Sequence, residues 1–139
     1  MVLKAKVRRS IEIRNDILEL ERVSRQILQE IASGSFSEEE VFAIHLALEE
    51  VLVNALKHGN KNNSDKKINI EYNITNDKFE ITVTDQGDGF EPEHVPDPRN
   101  DENICKTSGR GMLLIRSYMD KVEYNEKGNS VMLLKNRTK

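Results

Sequence analysis

At 139 residues the chain has room for one domain with a real core, and its 37% apolar and 32% charged residues are those of an ordinary soluble globular protein. A net charge of −3 offers no basic footprint for nucleic acid or an acidic membrane surface, and no apolar run reaches membrane-spanning length. The single cysteine, Cys105, excludes an internal disulfide and shows no metal-ligand spacing with His45, His58 or His94, while the start Met1–Lys6 lacks the apolar segment of a secretory signal, so a cytoplasmic location without zinc is expected.

Taken in chain order, residues 5–13 carry Val7, Ile11 and Ile13 among charged neighbours and predict an edge strand. Asn15 or Asp16 can cap a helix over about 16–33, whose Ile17, Leu20, Val23, Ile27 and Ile31 recur near a 3.6-residue period, with Gly34 as its stop. Ser37-x-x-Glu40 is a capping box ahead of a second helix from 38 to about 58. Val41, Ile44, Leu48, Val51, Leu52 and Ala55 give that helix a broad core face, and Gly59-Asn60 ends it. Ile68, Ile70, Tyr72 and Ile74, then Phe79, Ile81 and Val83, alternate as two strands around a tight Asn76-Asp77 turn. Residues 86–108 hold Pro92, Pro96 and Pro98 without periodicity; a loop of this length in a compact domain often has a function. A helix over about 110–119 and a hairpin of strands 121–125 and 130–135 around Lys127-Gly128-Asn129 complete the order β-α-α-β-β-loop-α-β-β. The expected fold is one α+β domain over 1–139, a two-layer sandwich with helices on one face of a mixed, mostly antiparallel sheet.

Three stretches carry candidate chemistry. Glu50, Asn54 and His58 stand at i, i+4 and i+8 and form one polar stripe on the second helix. A carboxylate there can take a proton from a nucleophile, and an amide oxygen suits magnesium; a plain solvated stripe is the alternative, with Glu49 as a solvent-facing rival for the carboxylate role. Asp85 ends a strand and can accept a hydrogen bond from an exocyclic amine such as adenine presents, while Gly87 and Gly89 allow backbone to approach a flat ligand; an ordinary Asp-Gln-Gly turn is equally open. Gly109-x-Gly111 opens a helix, where amide groups and the dipole attract phosphate, and Lys106, Thr107, Ser108 and Arg110 add donors. No Gly-Lys-Ser/Thr follows as in a Walker A loop, and no Gly-x-Gly-x-x-Gly opens the first strand–helix crossover.

Together these residues resemble the GHKL ATPase superfamily with its Bergerat ATP-binding fold. The N-box corresponds to Glu50-x-x-x-Asn54, the first glycine box to Asp85-x-Gly87-x-Gly89 and the second to Gly109-x-Gly111. Within the superfamily the chain is most similar to the small bacterial serine kinases of the RsbW and SpoIIAB anti-sigma type, closest at Asn54-Ala55-x-x-His58-Gly59 and along Gly111–Asp120.

The resemblance implies that Glu50 is the general base for a serine hydroxyl on a protein substrate and that Asn54 binds Mg2+. It implies that Asp85 meets the adenine amine, that Gly87 and Gly89 shape the base pocket, and that Gly109 and Gly111 meet the phosphates of ATP. Residues 91–108 would form the ATP lid. The phosphorylated partner would be a STAS-domain anti-anti-sigma protein, with a sigma factor or another regulator held in a partner switch. A homodimer is implied, with the first helix contributing to dimer and partner surfaces and Arg22 lying about where the family places a partner-contacting arginine. No nucleic-acid or membrane partner is implied. The lid residues Val95-Pro96-Asp97-Pro98 and Asp101-Glu102-Asn103 depart from the best-known anti-sigma lids, so the resemblance carries ATP binding further than sigma-factor binding. A nucleotide-dependent binding module without kinase turnover is the alternative, although such a module needs no base at Glu50. A detached histidine-kinase catalytic domain fits less well with the N-terminal strand and helix.

Overall fold

The computed structural model describes residues 7–87 and 116–137. Its elements are β1 (Val7–Arg14), α1 (Ile17–Ala32), α2 (Glu38–Asn54), a π-helical turn (Ala55–Gly59), β2 (Lys67–Ile74), β3 (Lys78–Asp85), β4 (Lys121–Tyr124) and β5 (Ser130–Asn136). Residues 116–118 are helical and Met119, expected to continue the helix to 119, is not; residues 110–115 of that helix lie outside the described residues, as do the rest of residues 88–115, which hold the expected lid and second glycine box.

The strands form a five-stranded sheet in the order β1-β2-β3-β5-β4, and every pairing among the described residues is antiparallel. β1 lies at an edge, as its charged neighbours predict. The period-2 alternation places one apolar set on a single face. Ile11, Ile70, Val83, Val131 and Tyr124 fall in one cross-strand row; Arg9, Tyr72, Ile81, Leu133 and Val122 fall in the next. At the end of this face Ile13 pairs with Ile68, and Ile68 with Asp85, so a carboxylate completes an otherwise apolar row.

Both helices contribute to the core on that face. Leu20, Val23, Ile27 and Ile31 from α1 and Ile44, Leu48, Val51 and Leu52 from α2 share one core cluster with the inward strand residues. Ile27, Ile31, Ile44, Leu48 and Leu52 are fully buried, and burying such a side chain contributes about 1.5–3 kcal/mol. Ile17, by contrast, is 44% exposed and stands outside the core face that its spacing suggested.

The helix starts follow local chemistry. Asp16, not Asn15, caps α1: its Oδ1 accepts from the Leu18 N–H at 2.8 Å. The α2 capping box is present, with the Glu40 N–H donating to Ser37 Oγ at 3.1 Å and the Ser37 N–H donating to Glu40 Oε1 at 2.8 Å.

The end of α2 differs from the single helix to about residue 58 that the apolar spacing predicts. The α-helix stops at Asn54, and the next turn is a π-helix over Ala55–Gly59, closed by the Asn60 N–H on the Ala55 carbonyl at 2.8 Å. The left-handed backbone that ends the segment belongs to Lys61 and Asn62, with φ of 51° and 59°, rather than to Gly59. Asn60 is thereby delivered to the interior, where it is wholly buried.

Candidate nucleotide site

The site begins where the π turn meets the end of β3. Asp85 is the last residue of β3 and points to the helix side of the sheet, beside Gly59 of the π turn. A Cβ built on Gly59 would lie 2.1 Å from Asp85 Oδ2, and one built on Gly87 would lie 1.9 Å from the Gly59 carbonyl oxygen. Real Cβ atoms do not approach this closely, so a side chain at Gly59 would displace the Asp85 carboxylate and one at Gly87 would meet backbone; neither glycine is there for a left-handed backbone. The Gly87 N–H donates to Asp85 Oδ1 at 2.8 Å and holds the carboxylate in place. Burial pushes the Asp85 carboxyl above its ordinary 3.8; the Gly87 N–H and the charges of Lys66 and Lys127 oppose that rise.

Asp85 is fixed through its backbone from the β5 side. Its N–H donates to the Asn129 carbonyl at 2.9 Å, and the Asn129 amide donates to the Asp85 carbonyl at 3.1 Å. Asn129 itself sits in the β4–β5 turn, where Asn125 Oδ1 accepts from the N–H groups of Gly128, Asn129 and Ser130 at 2.8, 3.1 and 3.2 Å. Gly128 takes the turn's positive φ of 78°.

The second part of the site lies on α2. Glu50 is half-buried, and the Asn54 side chain one turn on favours its charged form. Burial raises the Glu50 pKa above its ordinary 4.5, with the Asn54 hydrogen bond and the charge of His58 acting against the rise. Glu49 points elsewhere: it is exposed and its Oε1 lies 2.9 Å from His45 Nε2. The sheet adds Tyr124 from β4, whose phenol is pushed up to about 12, mainly by burial and also by the negative charge of Glu50, with Arg116 opposing. Tyr124 carries no motif in the sequence; only its inward register on β4 marks it.

The structure therefore gathers Glu50, Asn54 and His58 into one group and Asp85 and Gly87 into another, joined by Gly59. Gly89, Lys106, Thr107, Ser108, Gly109, Arg110 and Gly111 lie outside the described residues. Arg22 stands exposed on α1, 3.8 Å from Glu19.

Among the described residues no group of three or more His, Cys, Asp or Glu side chains could enclose a metal ion. The donor set fits magnesium in its usual nucleotide-bound role instead. The Asn54 amide offers the hard oxygen that magnesium prefers, and magnesium takes one or two protein oxygens together with phosphates and water.

The model of the histidine kinase-like ATPase domain matches residues 15–135, which include every element of the site just described. The chain belongs to this family. Among its relatives are the serine-protein kinase RsbW of Listeria monocytogenes, 34% identical over 121 residues that cover 81% of this chain and 77% of the relative. The serine-protein kinase RsbW of Staphylococcus epidermidis is 36% identical over 98 residues, covering 65% of this chain and 62% of the relative. A crystal structure of the RsbU and RsbW domains of a Mycobacterium tuberculosis protein matches with a TM-score of 0.62 at 14% identity, covering 94% of this chain. This chain spans 32% of that longer one, and the likeness shows the shared fold. The GHKL fold and the RsbW-like kinase family expected from the three boxes are thus borne out. No helix among the described residues is long and apolar enough to cross a membrane.

Proposed function

We propose that this protein is an ATP-dependent protein-serine kinase of the RsbW type that phosphorylates a STAS-type antagonist and holds a sigma factor or similar regulator in a partner switch. The observation that carries the reading is the half-buried Glu50 carboxylate, one helical turn before Asn54 and raised in basicity by burial. A protein that only binds nucleotide needs no base beside its metal ligand.

In this reading Asp85 accepts the adenine amine and Gly87 lets the base lie against the backbone. Asn54 would hold Mg2+ through its amide oxygen. Magnesium would neutralise charge on the phosphates. Glu50 takes the proton of the substrate serine as its oxygen attacks the γ-phosphorus, and the bond from that phosphorus to the β–γ bridging oxygen breaks to release ADP. The chain's share is positioning and electrostatics, as phosphoryl transfer requires. The phosphate added to the antagonist places about −1.5 to −2 charges on its surface and weakens a complementary interface.

A homodimer in the cytoplasm, through β1, α1 or the exposed sheet face, belongs to the same proposal. Val7, Ile11 and Ile13 give it no support, because they pack on the core side. Sedimentation at micromolar concentration should show a dimer, and monomer alone would reject that part. The function itself is tested by incubating the protein with γ-labelled Mg-ATP and a purified STAS-domain antagonist. Labelled phosphoserine on the antagonist is expected; ATP binding without transfer would reduce the protein to a nucleotide-dependent binding module.

A further inference from the structure

Asn60 lies in none of the three boxes, yet it is wholly buried and every polar atom of its side chain is engaged. Its Nδ2 donates to Asn15 Oδ1 at 3.1 Å and to the Lys67 carbonyl at 3.0 Å. Its Oδ1 accepts from the Gln86 N–H at 2.7 Å. The orientation of the amide is fixed by its partners, since a backbone N–H only donates and a carbonyl only accepts. Asn15 continues the relay by donating to the Leu56 carbonyl at 3.2 Å. The π turn, the start of β2 and the end of β3 are thus tied together through one side chain.

The tie falls at the place that matters for base recognition. Gln86 separates Asp85, which would accept the adenine amine, from Gly87, whose N–H orients the Asp85 carboxylate at 2.8 Å. Asn129 holds the Asp85 backbone on one side, and Asn60 holds the following peptide on the other. The Gln86 side chain adds a second hold, with its Oε1 accepting from the Lys67 N–H at 2.8 Å. Without Asn60 the Gln86 N–H, the Lys67 carbonyl and Asn15 Oδ1 lose a partner in the interior. The turn would then shift to find others, carrying the Gly87 N–H and the carboxylate with it. Hydrogen-bond recognition tolerates displacements of only about 0.5 Å.

We propose that Asn60 is a positioning residue for purine selectivity, acting through the Gln86 N–H on the direction of the Asp85 carboxylate. The inference rests on the adenine-pocket reading above. Adenine presents an amine to a carboxylate where guanine presents an oxygen, so a correctly aimed Asp85 favours ATP and disfavours GTP. A loosely held one loses affinity for the first and repulsion of the second. Asn60 therefore governs the ratio of the two affinities, whereas a residue that merely stabilised the fold would lower both together.

The test measures the affinities of non-hydrolysable ATP and GTP analogues by calorimetry, with a thermal melt of each variant. Asn60→Ala should lower the ATP:GTP affinity ratio about tenfold, the scale of one misplaced charge-assisted hydrogen bond. Asn60→Asp keeps the acceptor for Gln86 and should restore most of the ratio even if it binds both nucleotides less well. Glu30→Ala serves as the destabilised control, because Glu30 bonds Tyr72 two rows away along the sheet; its ratio should stay that of the wild type. A folded Asn60→Ala protein with the wild-type ratio, while Asp85→Asn loses it, overturns the role of Asn60. If Asn60→Ala does not fold, loss of the ratio in Asn60→Asp overturns it. A wild-type protein indifferent to the base, or an Asp85→Asn protein that still prefers ATP, refutes the adenine reading and Asn60's role with it.

Discussion

The carboxylate of Asp85 occupies the space that a side chain on Gly59 would need, with Oδ2 2.1 Å from the position of a Cβ there. The turn after the N-box and the first glycine box are therefore one structural unit, and a change in either is felt by the other.

Gly59→Ala should displace the Asp85 carboxylate and weaken ATP binding by at least about tenfold. Gly87→Ala should be worse for stability, because its Cβ would meet the Gly59 carbonyl, which is backbone and cannot swing aside. Gly34→Ala is the control, since its Cβ would meet the Ile31 carbonyl at an ordinary 3.4 Å. Calorimetry and thermal melts of the three variants check this. ATP affinity unchanged in Gly59→Ala would show that the carboxylate can move without loss.

Asp85 bears on stability with a definite sign. Its folded pKa is raised above 3.8, so the folded protein holds the proton more tightly than the unfolded chain. The contribution is favourable at low pH and is lost as pH rises from about 3.8 through the folded pKa. Asp85→Asn removes a desolvated charge. At neutral pH it should melt at or above the wild-type temperature while losing ATP affinity by about tenfold or more. A variant that melts lower and still binds ATP would contradict both halves.

Glu50 should titrate above 4.5, measured by carbon NMR of the labelled side-chain carboxyl. Asn54→Ala should move that midpoint further up, because the Asn54 hydrogen bond favours the charged form. Since a base acts only when deprotonated, kinase activity falls as pH drops through this midpoint. A midpoint at or below 4.5, or a downward move in Asn54→Ala, would remove the proposed balance of burial against hydrogen bonding.

The α1–sheet junction makes a separate stability prediction. The Tyr72 hydroxyl donates to Glu30 Oε1 at 2.6 Å, while Arg9 Nε and Gln26 Nε2 approach the same carboxylate at 3.1 and 3.2 Å. Burial pushes the Tyr72 phenol well above its ordinary range, with the Glu30 carboxylate adding to the rise. Glu30→Ala strands a buried hydroxyl and should cost about 1–3 kcal/mol in denaturant unfolding. Tyr72→Phe removes the hydroxyl itself, leaves Glu30 with Arg9 and Gln26, and should cost less. The reverse order would show that the network depends on the tyrosine.

Much of this was legible in the sequence because its signals are local. Alternation of Ile68, Ile70, Tyr72 and Ile74 predicts β2 and its inward face, and Ser37 with Glu40 predicts the start of α2. Glu50-x-x-x-Asn54 and Asp85 carry little alone and stand out only as a set with the glycine pairs, through the family resemblance. The π turn was not legible, because Val51, Leu52, Ala55 and Leu56 keep an apolar pairing that suits either helix type. Gly59 reads as a helix stop until Asp85 is placed above it. Asn60 reads as the next polar residue of a turn, since its partners Asn15 and Gln86 lie 45 and 26 positions away. Long-range amide pairs leave no periodic trace.

The most direct measurement of the central claim is phosphoryl transfer to an antagonist serine by Glu50→Gln and Glu49→Gln proteins, with ATP affinity determined in parallel. Glu50→Gln keeps shape and hydrogen bonding but removes the base, and general-base catalysis contributes on the order of a hundred- to ten-thousand-fold. The account predicts a loss of that size with ATP affinity nearly intact, and wild-type transfer by Glu49→Gln, whose side chain pairs with His45 away from the site. Normal transfer by Glu50→Gln would contradict it.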